Sequence, residues 1–301
     1  MIQYCKLHLA MKLRIKTYLS SPWGIWYRLK RDFPFWIRGK SYYTETAKLP
    51  PKATHVRRID NQAINSYLAN KKTREASSVI YTCITNGYDD IREIACPGYI
   101  NPDWDYICFT DDAEDIAAGH IGIWEIKPLA FNQLDNTRNN RWHKMHPHVL
   151  FPEYKESLYV DANIDILSPY IFKAISEINK PFILPRHPTR TCIYKEFELV
   201  LSEFLDDPKK ILQERSLISK SGMPADYGLT ENGILYRCHN EPSIISIMNE
   251  WWDMVEKYSR RDQLSLAWLL WKNGMRISDI SILNARSLTC DFCIFPHKHK
   301  A

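Results

Sequence analysis

The stretch Tyr159-Val160-Asp161-Ala162-Asn163-Ile164-Asp165 carries three oxygen-bearing side chains at a spacing of two residues. In extended backbone that spacing turns side chains to one side, so Asp161, Asn163 and Asp165 are expected to converge where a strand ends. Hard oxygen ligands in such a place suit Mg2+ or Mn2+ bridging a diphosphate, with the ion neutralising charge on a departing group. The same Asp-x-Asn spacing also makes ordinary Asx turns. Arg138, Arg141 and Lys144 recur every three residues and should share one helix face. Such a face can grip a diphosphate, Arg bidentately and Lys as a point charge, or simply be solvated.

Three further clusters could meet a substrate. His187 and Arg190 lie beside Pro185 and Pro188 in a rigid loop after a strand; a buried core histidine is the plainer alternative. Glu231 and Asn232 sit between Gly228 and Gly233, a carboxylate and an amide suited to sugar or acceptor hydroxyls, with Glu231 also a catalytic candidate. Arg261-Asp262-Gln263 opens an apolar stretch, so Asp262 and Gln263 are expected to face a cleft, with Asp262 as general base or sugar-hydroxyl ligand. An acid at a helix start is also favoured by the helix dipole alone. His297 and His299 form an HxH pair flanked by Lys298 and Lys300.

These groups need a scaffold. Val79–Thr85, Asp105–Phe109, Ile121–Ile126, Ser157–Asp161, Phe182–Leu184 and the run Ile-Leu-Tyr-Arg before Cys238 read as strands, rich in β-branched and aromatic residues. Asp135 to Leu150 is compatible with a helix that Pro147 ends or kinks. Pro242 fits a first helical turn, followed by Ile244, Ile247, Met248, Trp251, Val255 and Tyr258 at helical spacing. A second helix after Ser259, with Leu264, Trp268 and Trp271 on one stripe, should be buried nearly all round. Strands alternating with helices imply an α/β fold: a mixed, mostly parallel sheet flanked by helices.

Composition narrows the classes. The 301 residues, 45% hydrophobic and 25% charged, offer enough apolar surface for a large core and exclude a largely disordered chain. No apolar run approaches the length of a membrane span. None of the ten glycines falls in a GxGxxG or P-loop pattern, and neither GxSxG nor HExxH occurs. Phosphates must therefore be met by side chains or a metal. Nine Lys/Arg against the single acid Asp32 concentrate a charge of +8 in residues 1–40, together with six Trp, Tyr and Phe between positions 23 and 36, while the rest carries −3. A basic aromatic arm suits an anionic membrane surface or a docking partner, and a non-basic body argues against nucleic acid. Lysines and arginines interrupt any signal-peptide core, and eight scattered Cys argue for reduced thiols and a cytoplasmic setting, peripheral on the membrane's cytoplasmic face. Residues 1–75 are read as arm and connector, 76–301 as the ordered domain.

Several motifs together resemble one family. VIYTCITNGYDD (79–90), PDWDYICFTDD (102–112), the Arg138-x-x-Arg141-x-x-Lys144 helix, HPHVLFPEY with SLYVDANIDI, RHPTRTCIYKE (186–196), GLTENGILYRCHN (228–240) and RDQLSLAWLLWK (261–272) occur in order. They resemble the glycosyltransferase-like domain of bacterial and plant proteins, the TOD1/MUCI70 type formerly catalogued as a domain of unknown function. The resemblance implies a GT-A-like fold, with Asp161, Ala162 and Asn163 at the DxD position and Asn replacing the second acid. It implies a metal (Mn2+ or Mg2+), a nucleotide-sugar donor, and a glycan or lipid-linked acceptor in cell-surface polysaccharide or lipopolysaccharide assembly. In that frame Thr85, Asn86, Tyr88, Asp89 and Asp111 would hold the nucleotide, and His297 and His299 would close over a metal-bound diphosphate. A metal-dependent hydrolase of a lipid or glycan, or a noncatalytic sugar-binding protein, are the competing expectations.

Overall fold

The computed structural model describes residues 26, 60–73, 75–283, 285–286, 288 and 290–298. The basic arm and His299 therefore lie outside the described residues, Trp26 excepted. The first strands form where β-branched and aromatic residues cluster: β1 (Ser78–Ile84) and β2 (Trp104–Thr110) are buried along their whole lengths. Such strands belong in the middle of a sheet covered on both faces. β1 pairs in parallel with β2 on one side and with β5 (Glu156–Val160) on the other.

Eight strands make one sheet in the order β3-β4-β2-β1-β5-β8-β7-β9 among the described residues. β4 (Trp124–Pro128) continues the parallel part, and β3 (His120–Ile121) pairs antiparallel at its edge. β8 (Ile234–Arg237) runs antiparallel between β5 and β7 (Phe182–Pro185); β9 (Ser281–Ile282) pairs in parallel with β7. β6 (Ile164–Ile166) and β10 (Phe292–Ile294) form a small antiparallel ribbon of their own. The expected mixed, mostly parallel sheet is present.

Residues alternating along β1 feed two cores. Val79, Tyr81 and Cys83 face one, and Ile80 and Ile84 the other. The first core lies under α3 (Asn136–Met145), α6 (Ile193–Ser202), α7 (Pro208–Lys220), α8 (Pro242–Lys257) and α9 (Leu266–Lys272). The second holds α1 (Asn61–Lys71), α5 (Tyr170–Ile178) and the β6–β10 ribbon. α1 belongs to the expected connector but packs on the sheet: the Tyr67 hydroxyl donates to the Trp104 carbonyl at 3.0 Å, and Lys71 pairs with Glu125.

Several expected elements differ in detail. The strand read over 121–126 is two short pieces, because Gly122 turns the chain with φ +60°; a Cβ there would stand 1.8 Å from the Ala95 carbonyl oxygen. The helix expected over 135–150 is α3 followed by α4 (Pro147–Leu150), the break falling at His146 as Pro147 requires. The helix expected after Ser259 begins with a 3-10 turn, Asp262–Leu264, before α9. Asp161, Asn163 and Asp165 do not align on one side, because 161–163 is a tight turn, closed by the Ile164 N–H on the Asp161 carbonyl at 2.8 Å. Asp165 is buried and accepts from the Gly98 N–H at 3.1 Å, away from the other two.

Candidate active site

Asp161 follows the last residue of β5, at the carboxyl end of the parallel strands, where open α/β sheets place their ligands. Its N–H donates to the Gly233 carbonyl at 2.8 Å, tying it to the turn before β8. Gly233 keeps that approach uncrowded: a Cβ would stand 2.8 Å from Ile164 Cδ1 and 3.1 Å from Asp161 Oδ2, so these side-chain ends would have to shift. The Asp161 side chain keeps 34% of its exposure and is thus open to a ligand.

Behind it lies a buried charged floor. Lys144 Nζ donates to Asp262 Oδ2 at 2.8 Å and stands 3.7 Å from Asp161 Oδ1, with its side chain almost wholly buried. Arg141 Nε lies 3.3 Å from the same Asp262 oxygen. Burial by itself would raise the Asp262 pKa, but Arg141 and Lys144 reverse that and hold it down to about 2. Burial opposes the charge on Arg141; Asp262 and Asp161 outweigh it and raise its pKa. Lys144 Nζ also lies 5.0 Å from the Tyr159 ring centre. The Tyr159 phenol is pushed up by burial and then by Asp161, so it stays neutral.

The Asp262 backbone is fixed from two sides. Trp251 Nε1 and Asn232 Nδ2 donate to its carbonyl at 2.9 and 3.3 Å. Gln263 Nε2 donates to the Thr230 carbonyl at 2.7 Å, and the Thr230 hydroxyl donates to Asn232 Oδ1. The amide nitrogens of Asn232 and Gln263 thus clamp the 230–233 loop against the 3-10 turn. Glu231 Oε1 accepts from Arg286 Nε at 2.8 Å; burial raises its pKa, Arg286 opposes this, and Asp161 adds to it.

The residues expected to meet a nucleotide form the opposite rim. The Asn86 N–H donates to both Asp111 oxygens at 2.9 Å, with Asn86 in the left-handed region at φ 54° that Asn tolerates. Thr85 Oγ1 donates to the Asn136 carbonyl, joining this loop to the start of α3. Asp112, by contrast, is the N-cap of α2 (Ala113–Ala118). Tyr88 packs on the His297 ring at 4.6 Å between centroids, and its phenol is raised by burial and then by Asp89, with Arg261 and Arg141 opposing. His297 Nδ1 lies 2.9 Å from Asp89 Oδ1, and Lys298 Nζ 2.7 Å from Asp90 Oδ2. Asn163 is buried; its Nδ2 donates to the Phe295 carbonyl at 2.8 Å and stands 3.5 Å from His297 Nε2. The C-terminal strap therefore crosses from the Asp161 turn to the loop after β1.

Not every expected residue joins this site. The face Arg138-Arg141-Lys144 is split: Arg138 donates to the Val255 and Tyr258 carbonyls and to Asp135, bolting α3 to α8. Only Arg141 and Lys144 reach Asp161 and Asp262. His187 Nδ1 accepts from the Thr189 and Arg190 N–H groups, and Arg190 pairs with Glu196. Burial, then Arg190 and Arg286, lower the His187 pKa to about 3, so the ring is neutral and bonds within its own loop. Two residues were missed. Arg261 acts electrostatically on both Asp262 and Tyr88, and its place next to Asp262 in the polar triplet was the available signal. Arg286 reaches Glu231 across 55 positions, which no local pattern announces.

The chain was compared with known proteins. A family described as "TOD1/MUCI70, glycosyltransferase-like domain" matches residues 64–285. No curated protein matches. Among solved structures, apo mouse xyloside xylosyltransferase 1 is similar at 11% identity and TM-score 0.40, over 69% of this chain and 84% of that one. The glycosyltransferase GlyE of Streptococcus pneumoniae TIGR4 is similar at 11% identity and TM-score 0.37, over 69% of this chain and 45% of that one. The apo bifunctional glycosyltransferase WbbM is similar at 10% identity and TM-score 0.42, over 70% and 39%. The chain thus spans less than half the length of GlyE and of WbbM. With the matched segment running from α1 through the sheet to Ala285, the chain belongs to the TOD1/MUCI70 glycosyltransferase-like domain family.

Proposed function

We propose that this protein transfers a sugar from a nucleotide-sugar donor to a hydroxyl of a glycan or lipid-linked acceptor. The observation that carries this reading is the half-open Asp161 turn standing against the Arg141–Lys144–Asp262 floor. A nucleoside diphosphate leaving group needs positive charge held in place before the bond breaks, and a buried, already paired floor supplies it without reorganisation. The loop carrying Asn86, Tyr88 and Asp89 lies on the rim where base and ribose would sit.

Asp161, the Asn163 side-chain amide oxygen and His297 are the residues that would hold a divalent ion. The donor set fits an ion that arrives with the diphosphate: hard oxygens and an imidazole suit Mn2+, and no group of three His, Cys, Asp or Glu converges among the described residues. The remaining ligands would come from phosphate oxygens and water. Such an ion supplies Lewis-acid stabilisation of the departing phosphate. Asp262, held near pKa 2 by its two cations, is a poor proton acceptor at neutral pH and serves to position Lys144 and Arg141. Glu231, with a raised pKa and a place beside Asp161, is the better candidate for proton transfer or for a sugar hydroxyl.

Thermal shifts with a panel of nucleotide sugars, with and without Mn2+, test the reading, since a true donor stabilises the fold by mass action. One donor should raise the melting temperature only with the ion, and Asp161→Ala should abolish that rise. Full activity of Asp161→Ala, or of wild type in excess chelator, would overturn the metal. Among the described residues no helix is long and apolar enough to cross a membrane. The basic aromatic arm is read as the contact with an anionic membrane surface. Salt-sensitive binding to anionic vesicles that is lost on deleting residues 1–40 is the expected result; equal binding by the truncated protein would refute it.

A further inference from the structure

Arg237 ends β8 and is fully buried. Burial pulls its pKa below the usual guanidinium value, Tyr81 and Tyr159 oppose this, and no carboxylate pairs with it among the described residues. An arginine stays charged under such conditions, and a buried cation without a counter-ion is costly. Its hydrogen bonds show where it acts. Nη1 donates to the Lys144 carbonyl at 2.6 Å and Nη2 to the Tyr81 hydroxyl at 2.7 Å. The Tyr81 hydroxyl in turn donates to the same Lys144 carbonyl at 3.1 Å. That carbonyl belongs to the last turn of α3, where four carbonyls lack helical partners and the helix dipole presents negative charge.

From this we infer that Arg237 and Tyr81 are positioning residues for Lys144. They hold the carbonyl of the residue whose ammonium bridges Asp262 and Asp161, while Arg141 projects from the preceding turn. Met248 Sδ, 3.5 Å from Arg237 Nη1, and the Tyr81 ring, 5.8 Å from the guanidinium carbon, pack the group in place. The sheet thereby grips the end of the helix from beneath, and the two cations of α3 are held at a fixed height above β5. The inference takes from the proposed function only that the Lys144 ammonium serves the site.

The test is lysine labelling with acetic anhydride, read at each lysine by peptide mass spectrometry, on wild type, Arg237→Met and Tyr81→Phe. Lys144 should be protected in wild type. In both variants its labelling should rise about fivefold or more, the size expected when a buried hydrogen bond of ordinary strength is lost. Lys71, paired with Glu125 on another edge of the sheet, should keep its wild-type rate. Wild-type protection of Lys144 in Tyr81→Phe would overturn the inference. A parallel rise at Lys71 and Lys144, with a lower melting temperature, would also overturn it, since that describes a general loosening. Tyr81→Phe decides the matter if Arg237→Met does not fold. Adding magnesium pyrophosphate to wild type separates the two readings: failure to slow Lys144 labelling further counts against a phosphate role for the site and leaves the positioning role standing.

Discussion

The two sides of the candidate site are built differently. The floor of Arg141, Lys144 and Asp262 is buried, with Lys144 Nζ hydrogen-bonded to Asp262 at 2.8 Å and Arg141 Nε 3.3 Å from the same oxygen. The strap of Phe295, His297 and Lys298 lies across the opening, and its contacts to Asp89 and Asp90 are made by the exposed side chains of His297 and Lys298. Buried charges that are paired are expensive to separate, whereas exposed pairs contribute little and exchange readily with water. The contrast separates the two sides: the floor is preorganised, and the strap is the part more easily displaced.

The contrast breaks most visibly at Lys144. Lys144→Met takes from Asp262 its hydrogen-bonded cation, leaving only the charges of Arg141 and Arg261, and removes the ammonium 3.7 Å from Asp161. We expect a loss of about 3 kcal/mol in urea unfolding and a fall in turnover of about 100-fold. A variant as stable and active as wild type would show that the floor is not preorganised.

Asp262→Asn should cost somewhat less, about 2 kcal/mol, from a pKa held at about 2 against an ordinary 3.8. The sign follows from the lowered value: the stabilisation is present above pH 3.8 and is lost as pH falls through about 2. The wild-type and variant unfolding curves should therefore converge as the buffer is taken from pH 4 towards 2. Turnover should fall sharply in the variant with donor affinity little changed.

Acid should act on the floor through α3 before it reaches Asp262. His143 and His146, in and just after α3, have pKa values lowered by burial to about 4, backbone hydrogen bonds opposing in each case. Unfolded histidines take up protons near 6.5, so between about 6.5 and 4 the unfolded chain binds more protons and stability falls with pH. A melting temperature that stays flat across this window would show that both rings are charged in the folded protein.

The smallest effect belongs to the strap. Removing residues 297–301 should shift the melting temperature of the ligand-free protein by no more than about 2 °C. The same truncation should weaken donor binding about tenfold, the upper end of what one lost charge-assisted contact set provides. Unchanged donor affinity would reduce His297 to a surface contact with Tyr88 and Asp89.

Much of this molecule is legible in local sequence. The β-branched runs set β1, β2 and β5, the helical spacing after Pro242 sets α8, and Pro147 breaks α3 from α4, because these depend on neighbours only a few residues apart. Asp161 was expected at the end of a strand and stands there. Tertiary packing decided which charges meet. Lys144 and Asp262 are 118 positions apart, and Arg237 reaches Lys144 across 93, so their pairing depends on how helices settle on the sheet. The same packing turned Arg138 away to the end of α8 although its spacing matches that of Arg141 and Lys144. It also made a closed loop of His187 and Arg190. A periodic pattern fixes the direction in which a side chain leaves its helix; only the neighbouring elements determine whether it meets an anion, a carbonyl or water.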